Sequence, residues 1–382
     1  MHLLLASQAL SGISGLRTKA DAIFSQFPIR ISLKNSVSES QSFLSQGNRA
    51  AADLTYRGEV IVNRNLGQQP ETDNIRGLAA FVDQTRFSRL QRELWSRDHR
   101  RRPRVFVGSS FAALDTAQLA ALSSGNGEGF RLWLGRPIAV DPSPVSLQLR
   151  PDVDQLIAIV GADQGKHRVA PSVLASALVS AAEQLPPGSE IAILDASSDG
   201  TAPLLIPAIT RAMDKGVNVR VIPAAEITRY LHDEVATRLG SQPSSDLLIF
   251  GLAMQRIPGI DEVKPSDVPA DGGFSFGTPS GRTPREVLAD LARSGALART
   301  YFVGWWSNLA ALEQTVGLSH NGVSSYVTVG SGIEDLKRIA GPLTKRLNGS
   351  PRIGVFDRGS DQPLAPVIPF ELFDGGHSGR DT

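Results

Sequence analysis

The chain has 382 residues, of which 41% are apolar and 20% charged, with a net charge of +1. That is enough for a large buried core in two or more domains, and the charge balance points to no particular partner. The absence of cysteine excludes disulfide scaffolds, thiol catalysis and thiolate metal sites, and it fits a cytoplasmic protein.

No apolar run reaches the roughly 18–20 residues of a membrane helix. The opening MHLLLA has no basic leader and is too short for a signal peptide. Residues 2–7, 29–34 and 59–63 read as strands, with a helix over 38–54. Residues 83–104, DQTRFSRLQRELWSRDHRRRPR, carry eight arginines against three acids. Phe87, Leu90 and Leu94 fall at i, i+3 and i+7 there, the spacing of an amphipathic helix. Residues 105–150 read as short strands (VFVG, LWLG, PIAV) among turns, a linker between domains.

From residue 156 strands and helices alternate. LIAIV, EIAILD, VNVRVI, DLLIFGLA and TYFVGW are continuous apolar strands. Helices are predicted over 171–185, 202–216 (broken or bent near Pro207), 224–239 and 283–295. Apolar strands alternating with helices imply a mostly parallel sheet covered on both faces, an α/β fold. Residues 258–281 form a long Gly/Pro-rich loop, and residues 375–382 a disordered tail.

The chain also repeats itself. HLLLASQALSGI (2–13) has the form of TYFVGWWSNLAAL (300–312), and FPIRISLKN (27–35) that of SSYVTVGSG (324–332). YRGEVIVNRNLGQQP (56–70) matches SPRIGVFDRGSDQP (350–363), and both copies trail into extended segments, 77–83 and 367–374. A repeat defines the structural unit before any motif is read. The second copy has a full α/β run ahead of it and the first does not. The expected division is residues 1–83 as the end of a first unit, 84–150 as linker and 151–374 as a second unit. On this reading the polypeptide is the C-terminal part of a longer protein, or one half of a split one.

VGADQGKHR (160–168) sits where a phosphate loop belongs, after a strand and before a helix. The spacing from Gly161 to Gly165 and Lys166 is one residue short of the standard form, and His167 replaces the magnesium-binding hydroxyl. The alternative is a tight strand-to-helix turn with a solvated lysine. The strand LLIFGLA should end in a metal-binding carboxylate, but Gly251 and Leu252 stand there. Asp195 ends its strand at the sheet's C-terminal edge, where it either touches a ligand or caps the next turn. Arg97, Arg100, Arg101, Arg102 and Arg104 are candidate contacts to a nucleic-acid backbone, or simply a solvated face. The six histidines show no metal-ligand spacing, and Trp305 and Trp306 read as core or interface.

The ordered motifs of residues 1–75 resemble the C-terminal half of the FtsK/SpoIIIE motor domain, a family of DNA translocases. The likeness continues more loosely through the second copy as a degenerate motor unit. It implies a RecA-like P-loop NTPase fold, ATP and magnesium at a site completed elsewhere, double-stranded DNA as the moved substrate and a ring assembly. It further implies an association with a chain carrying the other motor half. By that likeness Gln8 matches the polar sensor of the terminal phosphate, and Arg30 a strand arginine that in ring motors can act as a finger across a subunit boundary; the alternatives are a core-edge hydrogen bonder for Gln8 and, for Arg30, a structural arginine that pairs with a carboxylate or snorkels to solvent. Ser307 stands opposite Gln8, and no arginine stands opposite Arg30. The alternatives are a non-catalytic oligomerisation or docking module and a protein-moving ATPase of the type VII secretion kind.

Overall fold

One three-stranded sheet and one ten-stranded sheet organise the chain. The computed structural model describes residues 6, 24–81, 83–97, 110–124, 129–139, 143–162, 168–197, 201–263, 282–317, 321–347, 349 and 351–373. They belong to two units, Met1–Pro103 and Arg104–Thr382. The predicted strands at 2–7 and 105–108 lie outside the described residues, apart from Ala6.

In the first unit, β1 (Arg30–Leu33) leads to helix α1 (Val37–Phe43), then β2 (Glu59–Asn63) and β3 (Asn74–Leu78). The order is β1-β2-β3, all antiparallel. Ser36 starts α1 by accepting a hydrogen bond from the Glu39 N–H. The helix ends at Phe43 and not at residue 54 as predicted, because Ser45, Gly47 and Asn48 favour turns over helix. The segment after it packs Leu44, Ala51 and Leu54 on Ile61, covering one face of the sheet. Beyond β3, α2 (Gln84–Arg97) forms as its spacing predicts, but Phe87, Leu90 and Leu94 are about half exposed.

In the second unit, strands stand where a linker was expected. β4 (Phe130–Pro137) and β5 (Val145–Leu149) extend the large sheet, β4 pairing with β13 (Ala365–Pro369) from the far end of the chain. The domain boundary near residue 150 is corrected accordingly, since backbone groups in β4 are satisfied by a strand more than 200 residues away. Then come β6 (Leu156–Val160), α3 (Val169–Ala182), β7 (Glu190–Asp195), α4 (Ile206–Asp214) and β8 (Asn218–Pro223). They are followed by α5 (Ala224–Tyr230), β9 (Leu247–Leu252), α6 (Pro284–Ser294), β10 (Thr300–Trp306) and α7 (Leu309–Val316). β11 (Val323–Val329), α8 (Ile333–Ala340), β12 (Ile353–Asp357) and β13 close the unit. A 3-10 turn (Ala202–Leu205) runs directly into α4, so the predicted helix is broken just before Pro207, which sits in the first turn of α4 where its missing N–H costs nothing.

The sheet order is β5-β4-β13-β12-β11-β6-β10-β9-β7-β8. β11 through β8 are parallel, and β12, β13, β4 and β5 add antiparallel strands. With the outer strand β8 set aside, the parallel core counted from β6 reads 5-1-4-3-2, the RecA-like arrangement that the resemblance implies. One apolar cluster gathers α3 and α4 on one face, and a second gathers α5, α6, α7 and α8 on the other. The fold class is α/β, with a mostly parallel sheet covered on both faces, as the sequence predicts.

β11–α8–β12–β13 repeats the order and sense of β1–α1–β2–β3. The rows correspond too. Ile31–Val62–Ile75 matches Val327–Val355–Ala365, and Leu33–Val60–Gly77 matches Val329–Ile353–Val367.

Candidate functional site

In a parallel α/β sheet, ligands bind beyond the C-terminal ends of strands, where the connections part to opposite faces. In the second unit that place is the end of β6. The chain leaves β6 for α3 on one face, while β10 next to it leads to α7 on the other. The candidate loop lies here. Gly165, Lys166 and His167 fall outside the described residues.

Gly161 opens the loop with φ +137°, a region that side chains rarely adopt. A Cβ there would lie 1.8 Å from the Val329 carbonyl oxygen at the end of β11. Its N–H donates to the Trp306 carbonyl and its carbonyl accepts from the Trp305 indole, each at 2.9 Å. The Ser331 hydroxyl donates to the Val160 carbonyl at 2.9 Å. The strand ends are thus stitched to one another at the base of the loop. The sequence offered Trp305 as core or interface; its indole N–H has the more specific task of anchoring Gly161.

β9 lies two strands from β6, and Gly251 near its end is closed from above. A Cβ on Gly251 would lie 2.3 Å from the Met254 sulfur. Met254 and Leu252 are fully buried, and Ala253 between them takes a left-handed turn (φ 50°) that folds Met254 back over the strand. A thioether therefore occupies the ground where an ATPase would place a metal-binding carboxylate. Nothing in the sequence reading singled out Met254. Asp195 ends β7, and its Oδ1 accepts from the Ser197 N–H at 3.0 Å and the Ser197 hydroxyl at 2.5 Å. That is a local turn bond, the second of the two roles open to it. On β10, the Ser307 N–H donates to Gln255 at 3.3 Å, and Asn308 caps α7 through the Ala311 N–H at 2.8 Å. Among the described residues no cluster of His, Asp and Glu could hold a metal ion.

The covering helix α3 is buried along all 14 residues. The Ser180 hydroxyl accepts from the Trp133 N–H at 3.0 Å and so ties the helix to β4. Just past the helix, Glu183 bonds Lys215 at 2.7 Å and Arg211 beside it, joining α3 to α4. Burial alone would raise the Glu183 pKa, but the two cations more than offset it and hold the carboxyl below its ordinary value.

Arg30 bonds within its own unit. Its guanidinium donates to the carbonyls of Phe43 and Leu44 at 2.6 Å, Phe24 at 3.0 Å and Phe27 at 3.4 Å. It caps the C-terminal end of α1, where free carbonyls and the helix dipole both favour a cation. Partial burial pulls its pKa below the ordinary arginine value. The planar fork is spent on its own unit, the structural role that stands beside the finger assignment. By the strand rows its counterpart is Tyr326, whose burial pushes its pKa up to about 12. Gln8 and Arg100, Arg101, Arg102 and Arg104 lie outside the described residues, as does the side chain of Arg97.

No protein-family model matches the chain, and no curated protein matches it. Among solved structures, EssC (ATPases 2 and 3) from Geobacillus thermodenitrificans is similar at 11% identity and a TM-score of 0.45. That match covers 71% of this chain and 49% of EssC. Thermomonospora curvata EccC (ATPases 2 and 3), in complex with a signal sequence peptide, is similar at 12% identity and a TM-score of 0.44. It covers 94% of this chain and 64% of that one, so the chain spans less than two thirds of either structure. A more distant likeness is the type III secretion ATPase EscN from enteropathogenic E. coli, at 11% identity and a TM-score of 0.30, over 53% of this chain and 48% of EscN. Among the described residues no helix is long and apolar enough to cross a membrane.

Proposed function

We propose that this chain is part of an ATP-driven translocation ATPase, with a second unit that keeps the ATPase fold, has lost hydrolysis and serves a structural or regulatory role. The observation that carries this reading is the closure of Gly251 by Met254 beside a buried Leu252. Without a carboxylate at that strand end, nothing orients magnesium and the attacking water. The short loop at Gly161, Gly165 and Lys166, with His167 in place of a hydroxyl, agrees. ATP and magnesium belong to sites completed by other segments or chains, in a ring assembly that includes the other motor half.

The EccC structure holds a signal sequence peptide, and a protein cargo is the reading placed first. Double-stranded DNA is the second, favoured by the exposed Arg86, Arg89 and Arg92 of α2. Steady-state phosphate release from magnesium-ATP tests the main claim. The full chain should turn over no faster than its Lys166→Ala variant. Magnesium-dependent turnover abolished by that substitution would overturn the reading. Duplex binding followed by fluorescence anisotropy separates the cargoes. A DNA-moving chain should lose at least about 10³-fold in affinity between 50 and 200 mM salt. A protein-moving chain should show no such binding.

A further inference from the structure

Helix α2 is exposed around nearly its whole girth. Its described side chains are all exposed except that of Ser88, which is partly so. Asp83 starts the helix by accepting a hydrogen bond from the Arg86 N–H at 2.9 Å, and no glycine or proline interrupts its 14 residues. Phe87, Leu90 and Leu94, at 45%, 48% and 55% exposure, form one apolar stripe along it. A helix of this length is marginal in water by itself, and packing of an apolar face is what ordinarily holds one in place. An exposed stripe of this kind marks a docking face.

The rest of the helix is basic. By sequence it carries four arginines against the single acid Glu93. At about 100° per residue, Arg86 borders the stripe, and Arg89 and Arg92 take the far side. Two kinds of partner meet only half of this pattern. The phosphates of a duplex take the arginines and have no place for Phe87, Leu90 and Leu94. An apolar protein groove takes the stripe and leaves the arginines unmatched. An anionic lipid surface meets both, because its acyl region receives the apolar face and its headgroups the cations. A helix about 10–12 Å across, sunk by about 5–10 Å, keeps even its far arginines near the headgroups, within a screening length of about 8 Å. Headgroups are also fluid, so they match arginines spread over an arc, where a protein partner would need acids at fixed points.

We propose that α2 is a membrane-surface helix, which lays Phe87, Leu90 and Leu94 into an anionic leaflet and holds Arg86, Arg89 and Arg92 at its headgroups. Each arginine near such a surface strengthens binding about 5-fold, so the surplus of cations over Glu93 contributes about 100-fold. That factor and a stripe of three side chains give reversible attachment rather than insertion. On this assignment the arginines that favour duplex DNA under the second reading of the cargo serve lipid instead. The assignment is independent of whether the second unit hydrolyses ATP.

Co-sedimentation of the full chain with sucrose-loaded vesicles tests the assignment. Vesicles of equal parts phosphatidylglycerol and phosphatidylcholine should bind the chain at least about 10-fold more tightly than vesicles of phosphatidylcholine alone, and added salt should weaken that binding. Leu90→Gln keeps the charge, changes an exposed position and should weaken it at least about 5-fold. Arg89→Gln combined with Arg92→Gln keeps the stripe and should weaken it about 25-fold, at about 5-fold for each arginine. Equal binding to neutral vesicles, no binding to either kind, or undiminished binding of both variants would overturn the proposal. Where vesicles go unbound, a duplex affinity that falls with the arginine pair would assign α2 to nucleic acid. A dimer that Leu90→Gln dissociates would assign it to a second copy. Either result overturns the membrane assignment.

Discussion

The two copies of the β–α–β–β motif share strand order, sense and facing rows, yet one is buried on both faces and the other on one. In the covered copy, Val327, Val329, Ile353 and Val355 meet the cluster around α3. In the bare copy, the same rows leave Ile31, Leu33 and Ile75 more than half exposed and Val62 partly so, with Val60 buried between them. The difference shows that this motif holds its shape through its ladder and one packed face. In the second unit the second face is where α3 packs. Arg30 also belongs to this contrast. The bare copy ties its helix end to the strand with a guanidinium, and the covered copy has the buried ring of Tyr326 at that place.

Paired substitutions break or sharpen the comparison. Val327→Asp puts a lone charge at a fully buried position, and should destabilise the second unit by at least about 4 kcal/mol in denaturant melts. Tolerance of that change would mean the row is not covered. Glu183→Gln should cost about 2–3 kcal/mol by loosening the join between the covering helix α3 and α4. Because the folded pKa of Glu183 is depressed, this contribution is present above the ordinary carboxylate range. It is lost as pH falls through the folded value, so the gap between wild type and variant should begin to close as pH falls below the ordinary glutamate value of about 4. A gap that stays constant down to pH 3 would argue against the ion pair.

Arg30→Ala leaves the carbonyls of Phe24, Phe43 and Leu44 without their donor and should lower the first unit's stability by about 2 kcal/mol. An unchanged melt, with lost ATPase activity in the complete assembly, would restore the finger role. Ile31→Asp, on the bare row, should cost about 1 kcal/mol or less, the scale of strand propensity alone. A loss as large as that of Val327→Asp would show the face to be covered.

Much of the second unit was legible in the sequence, because parallel strands buried on both faces read as unbroken apolar runs. LIAIV, EIAILD and TYFVGW are of that kind, and each is a strand. The repeat was legible for the same reason, as a pattern that recurs in order. What escaped was non-local or rested on backbone geometry. The place of β4 and β5 in the large sheet depends on β13, far along the chain. The task of Arg30 depends on carbonyls 13 and 14 residues away. Met254 closes Gly251 only because Ala253 adopts a left-handed turn, and alanine gives no sign of one.

Hydrogen exchange of the full chain, read strand by strand, tests the central contrast most directly. Amides of β11, paired on both edges and packed on both faces, should exchange near the global unfolding limit. Amides of β1 should exchange at least about 100-fold faster, as an edge strand with one bare face allows. Equal protection of β1 and β11 in the isolated chain would contradict the account, because it would mean that the first copy is already complete.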